Sequence, residues 1–193
     1  MSEANVKARS AGRSHNEWGF RIALLALFFA SSVLAQSPSL RPELANASFL
    51  LGKWQGAGWI EFNLGQRREF QQFETISPKL GGGAVVMEGL GTRKGADGNE
   101  IVTHEAIGIV VWDANQKKPL MRAYRTGGQY VDADVQLESN KLAWQFQLQG
   151  IGMTRYTIVL DDKGRWFEIG ELSKDGGDWR KFFETTLTRV GSL

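Results

Sequence analysis

Hydrophobic and polar residues alternate most clearly between residues 129 and 148. Alternation with a period of two on both sides of a two-residue turn predicts a β-hairpin with one apolar and one polar face. With Ser139-Asn140 as the turn, Glu138 lies opposite Lys141, and the apolar faces of both strands coincide. The apolar positions are Val131, Ala133, Val135 and Leu137 before the turn, and Leu142, Trp144, Phe146 and Leu148 after it.

Similar patterns recur from Lys53 to the end of the chain and predict ten strands. Breaks rich in Gly, Asn and Asp separate them, and no helical periodicity lies between them. Short connections predict a meander, and closing a meander of this length removes its exposed edges. We therefore predict an all-β fold, a ten-stranded antiparallel up-and-down β-barrel, with a Greek-key sandwich as the alternative. The predicted strands are 53–63, 67–77, 84–93, 101–112, 119–126, 129–138, 141–149, 153–160, 165–173 and 179–189.

The first 35 residues have a different pattern. Basic residues precede an apolar run over residues 22–34, and Val33-Leu34-Ala35 offers a cleavage site with small residues. This is the form of a signal peptide, and the run is shorter than the roughly 20 residues that span a bilayer. We predict a signal peptide over 1–35, a leader with a short helix over 36–48, and the barrel domain over 49–193. The protein is then periplasmic or secreted, with no stable membrane span after cleavage; an uncleaved anchor or a buried helix is the alternative for the apolar run.

Composition narrows the possible chemistry. The chain of 193 residues contains no cysteine, which excludes disulfides, a thiol nucleophile and a lipid-modified cysteine. Cleavage after Ala35 removes four basic and two acidic residues, so the formal charge falls from +2 to 0. No basic tract is present, and we expect no nucleic-acid partner.

The segment from Gly52 to Gly58, with the sequence Gly-Lys-Trp-Gln-Gly-Ala-Gly, resembles the Gly-x-Trp opening of the calycin superfamily. With Leu50-Leu51 before it, this segment is most similar to nitrobindin-like proteins and to uncharacterised bacterial lipocalin-like secreted domains. The runs 165–171 and 179–184 also resemble the bacterial group. The resemblance covers about residues 49–190 and implies a barrel that encloses a cavity. It also implies that Arg189, on the last strand, lies across Trp54 as a structural lock, with a cation–π contact.

The resemblance bears on cofactors as well. Nitrobindin-like proteins bind haem through a histidine near the carboxyl end, whereas this chain has no histidine after His104. A single histidine also makes a poor metal site, because zinc takes three or four protein ligands. We therefore expect no haem, no other cofactor and no metal.

The inward face of the barrel is predicted by extending the hairpin register. If Gly127-Gly128 is a two-residue turn, Tyr124 lies opposite Val131 and Arg122 opposite Ala133, so both point inward. The preceding strand then directs Glu105 inward and leaves His104 on the outer face or at the rim. A buried arginine needs a carboxylate partner, from the protein or from a ligand. Glu74, Glu105, Glu168 and Glu171 are the protein candidates, and the inward face of 153–160 and 165–173 stays open.

These positions predict a ligand site lined by aromatic and charged groups. The expected ligand-binding residues are Glu105, Arg122, Tyr124, Trp144, Phe146 and Glu168. We predict a non-catalytic barrel that binds a small hydrophobic or amphiphilic ligand. No catalytic constellation is present, since His104 is the only histidine after residue 35 and no Gly-x-Ser-x-Gly occurs.

Two alternatives stay open. A lumen carboxylate beside Arg122 and Tyr124 would suit proton transfer in a cyclase or isomerase. A filled barrel would instead suit an envelope protein that binds another protein through its outer face. The oligomeric state is left open.

Overall fold

A computed structural model describes residues 39–193. The predicted signal peptide, residues 1–35, and the first residues of the predicted leader lie outside the described residues. The proposed domain boundaries therefore stay predictions. Within residues 39–193, no helix combines the length and hydropathy needed to cross a membrane.

The described chain is all-β, and its ten antiparallel strands form one closed barrel, as predicted. Each strand pairs with its neighbours in sequence, and β1 also pairs with β10, which rules out the Greek-key alternative. The strands are β1 Gly52–Ile60, β2 Arg68–Lys79, β3 Ala84–Lys94, β4 Glu100–Asp113, β5 Lys118–Arg125, β6 Tyr130–Glu138, β7 Lys141–Leu148, β8 Gly152–Leu160, β9 Trp166–Ser173 and β10 Arg180–Gly191. A short 3₁₀ turn, Leu80–Gly82, connects β2 to β3.

A 3₁₀-helix, Pro42–Leu50, precedes β1 and covers one end of the barrel. Leu44, Ala47 and Leu50 recur every third residue, and a 3₁₀-helix has three residues per turn, so they share one face. They are 0%, 2% and 0% exposed and belong to the same apolar cluster as Trp54 and Ile76. The short helix was expected, and its apolar face makes this segment part of the core.

The β6–β7 hairpin has the predicted register. Glu138 lies opposite Lys141, and Leu137 opposite Leu142. Lys141 Nζ donates to Glu138 Oε1 at 2.8 Å on the outer face, whereas Leu142 is 1% exposed and belongs to the core. The alternation read from the sequence therefore assigns the correct faces to these two strands.

The β5–β6 register differs from the prediction by one residue. The loop contains three residues, 126–128, and it closes with a hydrogen bond from Arg125 N to Gln129 O at 3.0 Å. Gly127 and Gly128 both have positive φ, 92° and 78°, which glycine adopts without strain. Arg122 consequently lies opposite Asp132, and Met121 lies opposite Ala133. A shift of one residue moves every side chain of the strand to the other face.

Candidate ligand-binding lumen

Three expected ligand-binding residues, Glu105, Arg122 and Tyr124, lie on the outer face, and the prediction that they point inward is wrong. The β4–β5 register itself matches the prediction, with Ile109 opposite Arg122, so the three-residue β5–β6 loop accounts for the whole error. The inward residues of β4 and β5 are the buried ones, which include Val110 and Met121.

Arg122 finds its carboxylate partner on the outer surface. Its Nε donates to Asp132 Oδ1 at 2.6 Å, and its Nη2 donates to Oδ2 at 2.8 Å. Its guanidinium also lies 4.5 Å from the centroid of the Tyr130 ring. This bidentate contact lowers the pKa of Asp132 and raises that of Arg122. Arg122 is therefore not available to bind an acidic group inside the barrel.

One wall of the lumen, the space enclosed by the barrel, is aromatic. Trp144 and Phe146 point inward as predicted, and β8 adds Tyr156 between them and β9. Tyr156 stacks on Trp144 with ring centroids 5.1 Å apart, and it meets Phe183 edge-on at 5.6 Å. Trp144, Phe146 and Tyr156 are only partly buried, although they face the interior. This wall therefore borders space that water can enter.

The wall formed by β3, β4 and β5 carries small side chains instead. Gly89, Ala106, Gly108 and Ala123 lie beside one another on the inward face. A Cβ at Gly89 would lie 2.6 Å from Oε1 of Glu74, so glycine leaves the room that this carboxyl occupies. At Gly108 a Cβ would lie 2.5 Å from Cε of Met121, so glycine makes room for a neighbouring side chain there as well.

Two carboxyl groups, Glu74 and Glu168, lie inside the barrel. Glu74 lies between Trp54 and Gly89 in the sheet, and Glu168 lies between Ile158 and Thr185. A three-residue turn, 149–151, sets the register of β8, since Leu148 pairs with Gly152. The question left open for 153–160 and 165–173 is thereby answered: Glu168 faces inward, and Glu171 faces outward to pair with Arg155 at 2.8 Å.

Each of the two carboxyls has one protein hydrogen-bond donor. Gln72 Nε2 donates to Glu74 Oε1 at 2.6 Å, and Trp166 Nε1 donates to Glu168 Oε2 at 3.0 Å. Burial raises the pKa of Glu74 to about 7, although the Gln72 bond lowers it. Burial, and then the charge of Glu74, raise the pKa of Glu168 to about 8. Burial and then the charge of Glu168 also raise the pKa of Tyr156.

His104 and Arg125 lie at the end of the barrel opposite the 3₁₀-helix. His104 pairs with Gly91 in the inward-facing register, so of the two predicted positions, the outer face or the rim, it occupies the rim. Burial, followed by the positive charge of Arg125, lowers the pKa of His104. Arg125 Nε donates to Gln129 Oε1 at 2.8 Å. This end of the lumen is polar and partly open to solvent.

The closed end contains the contact between Arg189 and Trp54 that the resemblance implied. Arg189 Cζ lies 4.1 Å from the Trp54 ring centroid, and Nη2 donates to Phe49 O at 2.8 Å. Nη1 donates to Leu51 O. Trp54 donates to Leu50 O at 2.7 Å and meets Trp166 edge-on with centroids 5.7 Å apart. The predicted contact is confirmed, and its role as a lock stays a prediction.

The part of the chain that the structure describes brings together no group of three His, Asp or Glu side chains that would hold a metal ion. The groups that the lumen does present are aromatic rings, two carboxyls and small residues.

Tyr156 was not predicted from the sequence, because its inward orientation depends on the length of the β7–β8 turn. The three-residue segment between Leu148 and Gly152 is the signal that would have identified it.

No protein-family model matches the chain, and no curated protein matches it either. Among solved structures, the chain is similar to Rv2717c from M. tuberculosis, with a TM-score of 0.56 and 13% sequence identity. The match covers 78% of this chain and 99% of that one. At this identity the likeness shows a shared barrel fold and nothing about activity.

Proposed function

We propose that this barrel binds a small amphiphilic molecule in its lumen without changing it chemically. The observation that carries the proposal is that the interior has two walls of different composition. Partly buried aromatic rings at Trp144, Phe146 and Tyr156 face a wall of small residues. Apolar walls with a few convergent polar groups are the usual composition of small-molecule sites. Glu74 and Glu168 supply the polar groups here.

Two further expectations belong to the same proposal. The protein is exported, because residues 1–35 have the pattern of a signal peptide, and it acts in the periplasm or outside the cell. The barrel is of the calycin type, which the Gly52-x-Trp54 opening and the position of Arg189 over Trp54 support. A carrier or scavenger of a small molecule in the cell envelope fits both expectations.

The test is native mass spectrometry of the protein purified from its own host under non-denaturing conditions. We expect a low-mass molecule that stays bound to the folded protein. Two variants at adjacent residues provide a matched pair, since Ala106 faces the lumen and Glu105 faces outward. Ala106→Leu should lose the molecule because leucine fills the lumen, whereas Glu105→Leu should retain it.

The proposal fails if the purified protein carries no molecule and binds none of a panel of apolar, acidic and basic aromatic probes. Equal loss of the molecule from both variants would also contradict it, because occupancy would then not depend on the lumen.

A second function is favoured by one specific observation. Glu168 has a pKa raised to about 8 and lies near the ring of Tyr156 in the lumen. A general acid or base works best when its pKa is close to the operating pH. A proton-transfer enzyme of the isomerase or cyclase kind would use this carboxyl instead of the predicted Arg122 and Tyr124. Conversion of the bound molecule by wild-type protein but not by Glu168→Gln would establish it.

A further inference from the structure

The lumen contains acidic groups that no basic side chain neutralises. Neither Glu74 nor Glu168 forms an ion pair with any Lys, Arg or His in residues 39–193. The inward-facing Arg189 is used at the closed end over Trp54, and Arg125 lies at the rim beside Gln129. Burying ionised acidic groups without a cationic partner is unfavourable, so both carboxyls keep their protons to a higher pH than usual instead of being balanced by a positive charge.

Both carboxyls have one oxygen free for a ligand. Gln72 and Trp166 donate to Glu74 Oε1 and Glu168 Oε2, and the second oxygen of each carboxyl accepts no hydrogen bond from a described residue. These second oxygens are also absent from the buried atoms that are both sealed from water and unpaired. Each carboxyl is therefore fixed by the protein on one side and open to the lumen on the other.

Thr154 belongs to the same wall as Tyr156 but lies outside the open space. It lies on the inward face of β8, two residues before Tyr156, and is only 2% exposed. Its hydroxyl oxygen is sealed and has no hydrogen-bond partner within the described part of the chain. Because this oxygen is sealed, a ligand in the lumen does not reach it, and the polar groups that a ligand can meet are the open oxygens of Glu74 and Glu168.

The aromatic wall adds an apolar surface. Trp144 and Tyr156 are stacked nearly parallel, with 14° between the ring planes. Stacking covers one face of each ring, so the pair offers an apolar surface for the body of a ligand, and its positive group is left to the carboxylates.

From these features we propose that the lumen takes an organic amine. Its ammonium group would lie between Glu74 and Glu168, and its apolar or aromatic body would lie against Trp144 and Tyr156. This inference rests on the proposed ligand-binding function and specifies the ligand class. An ammonium group thus takes the place of the acidic head group that an inward-facing Arg122 would have bound.

Binding of an ammonium group should move protons. The titratable groups that face Glu168 are Glu74 and Tyr156, and near neutral pH both carboxyls are partly protonated because burial raises their pKa values. An ammonium ion favours the ionised carboxylates, so its binding lowers these pKa values and releases protons to solvent. A neutral ligand of the same shape releases none.

The experiment is calorimetric titration of the purified protein with three probes of one shape: naphthylmethylamine, naphthylmethanol and naphthoate. At about pH 8.5, where Glu168 is more than half ionised, we expect the amine to bind about tenfold more tightly than the alcohol. Naphthoate should bind most weakly. Titrations of the amine near neutral pH, in buffers of different ionisation enthalpy, should reveal proton release, and titrations of the alcohol should not.

Variants then test the two carboxyls. Glu168→Gln and Glu74→Gln should each weaken amine binding about tenfold and leave alcohol binding nearly unchanged. Glu171→Gln is the matched control, because Glu171 lies on the same strand but faces outward to Arg155. It should leave the affinity for the amine unchanged.

The outcomes separate the two proposals. If the alcohol binds as tightly as the amine, or naphthoate binds best, the lumen still binds ligands and the amine inference is overturned. If none of the three probes binds, the amine inference is overturned, and the ligand-binding function fails with it only if the purified protein also carries no low-mass molecule. The wild-type series alone decides this, so poor folding of a variant cannot obscure the result.

Discussion

Trp166 donates a hydrogen bond from its indole Nε1 to Glu168 Oε2 at 3.0 Å, inside the barrel. Trp166 is 1% exposed and Glu168 is 7% exposed. The bond favours the ionised carboxyl, but burial and the charge of Glu74 outweigh it and raise the pKa of Glu168 to about 8. The carboxyl is thus held in position and kept largely protonated at neutral pH.

This balance predicts a pH dependence of stability. In the unfolded chain Glu168 ionises near the usual glutamate pKa of 4.5, whereas in the folded protein its pKa is about 8 and it keeps its proton to higher pH. Between these values the folded state binds more protons, so a rise in pH destabilises it, by at most about 1.4 kcal/mol per pH unit. Glu168→Gln removes this contribution. We expect the variant to gain stability relative to wild type from pH 5 to pH 8, measured by urea unfolding at each pH.

Glu105→Gln, on the exposed outer face, is the control for this series and should show no such trend. A constant difference between Glu168→Gln and wild type across the same pH range would mean that Glu168 titrates normally in the folded protein.

The contact between Arg189 and Trp54 predicts a loss of stability on substitution. Arg189→Ala removes a cation–π contact and two hydrogen bonds to backbone carbonyls, and should lower the free energy of unfolding by about 2–3 kcal/mol. Arg189→Lys keeps the charge but not the planar fork, so its loss should be smaller. Chemical denaturation measures both, with Arg93→Ala on the exposed end of β3 as the control. Equal stability of all three variants would remove the role of Arg189 as a lock.

The packing of the 3₁₀-helix on the core predicts that a substitution on its apolar face lowers the stability of the protein. Leu44 is 0% exposed under the end of the barrel. Leu44→Ala should therefore lower the free energy of unfolding by about 2–5 kcal/mol. Glu43→Ala, on the exposed side of the same helix, should cost little. Thermal or urea unfolding distinguishes them. Similar effects of both substitutions would show that the helix is not packed on the core.

The position of Gly89 predicts a graded effect of added volume. Gly89→Ala would place a Cβ 2.6 Å from Glu74 Oε1, so the carboxyl must move and overpacking should cost about 1–3 kcal/mol. At Gly91 the nearest contact is 3.2 Å, to Gln72 Oε1, and Gly91→Ala should be milder. Unfolding free energies of the two variants provide the measurement. A larger cost at Gly91 than at Gly89 would contradict the assigned position of Glu74.

The fold was predictable because its signals are local. Alternation of apolar and polar residues, interrupted by turn-forming residues, is present in the chain itself and predicts all ten strands and their meander. The Ser139-Asn140 turn also set the β6–β7 register correctly, so Trp144 and Phe146 were assigned to the lumen. The contact of Arg189 with Trp54 came from resemblance rather than from pattern.

The composition of the lumen depended on loop lengths, which the sequence determined less well. Gly127-Gly128 reads as a two-residue turn, yet Thr126 joins the loop, and that one residue moved Arg122 and Tyr124 to the outer face. Alternation cannot detect this, because β5 carries apolar residues on both faces. Whether Glu74 and Glu168 share the interior was decided only by closure of the barrel, which brings β2 and β9 together across β1 and β10. Side chains far apart in sequence acquire a common environment, and shifted pKa values, only when the sheet closes around them.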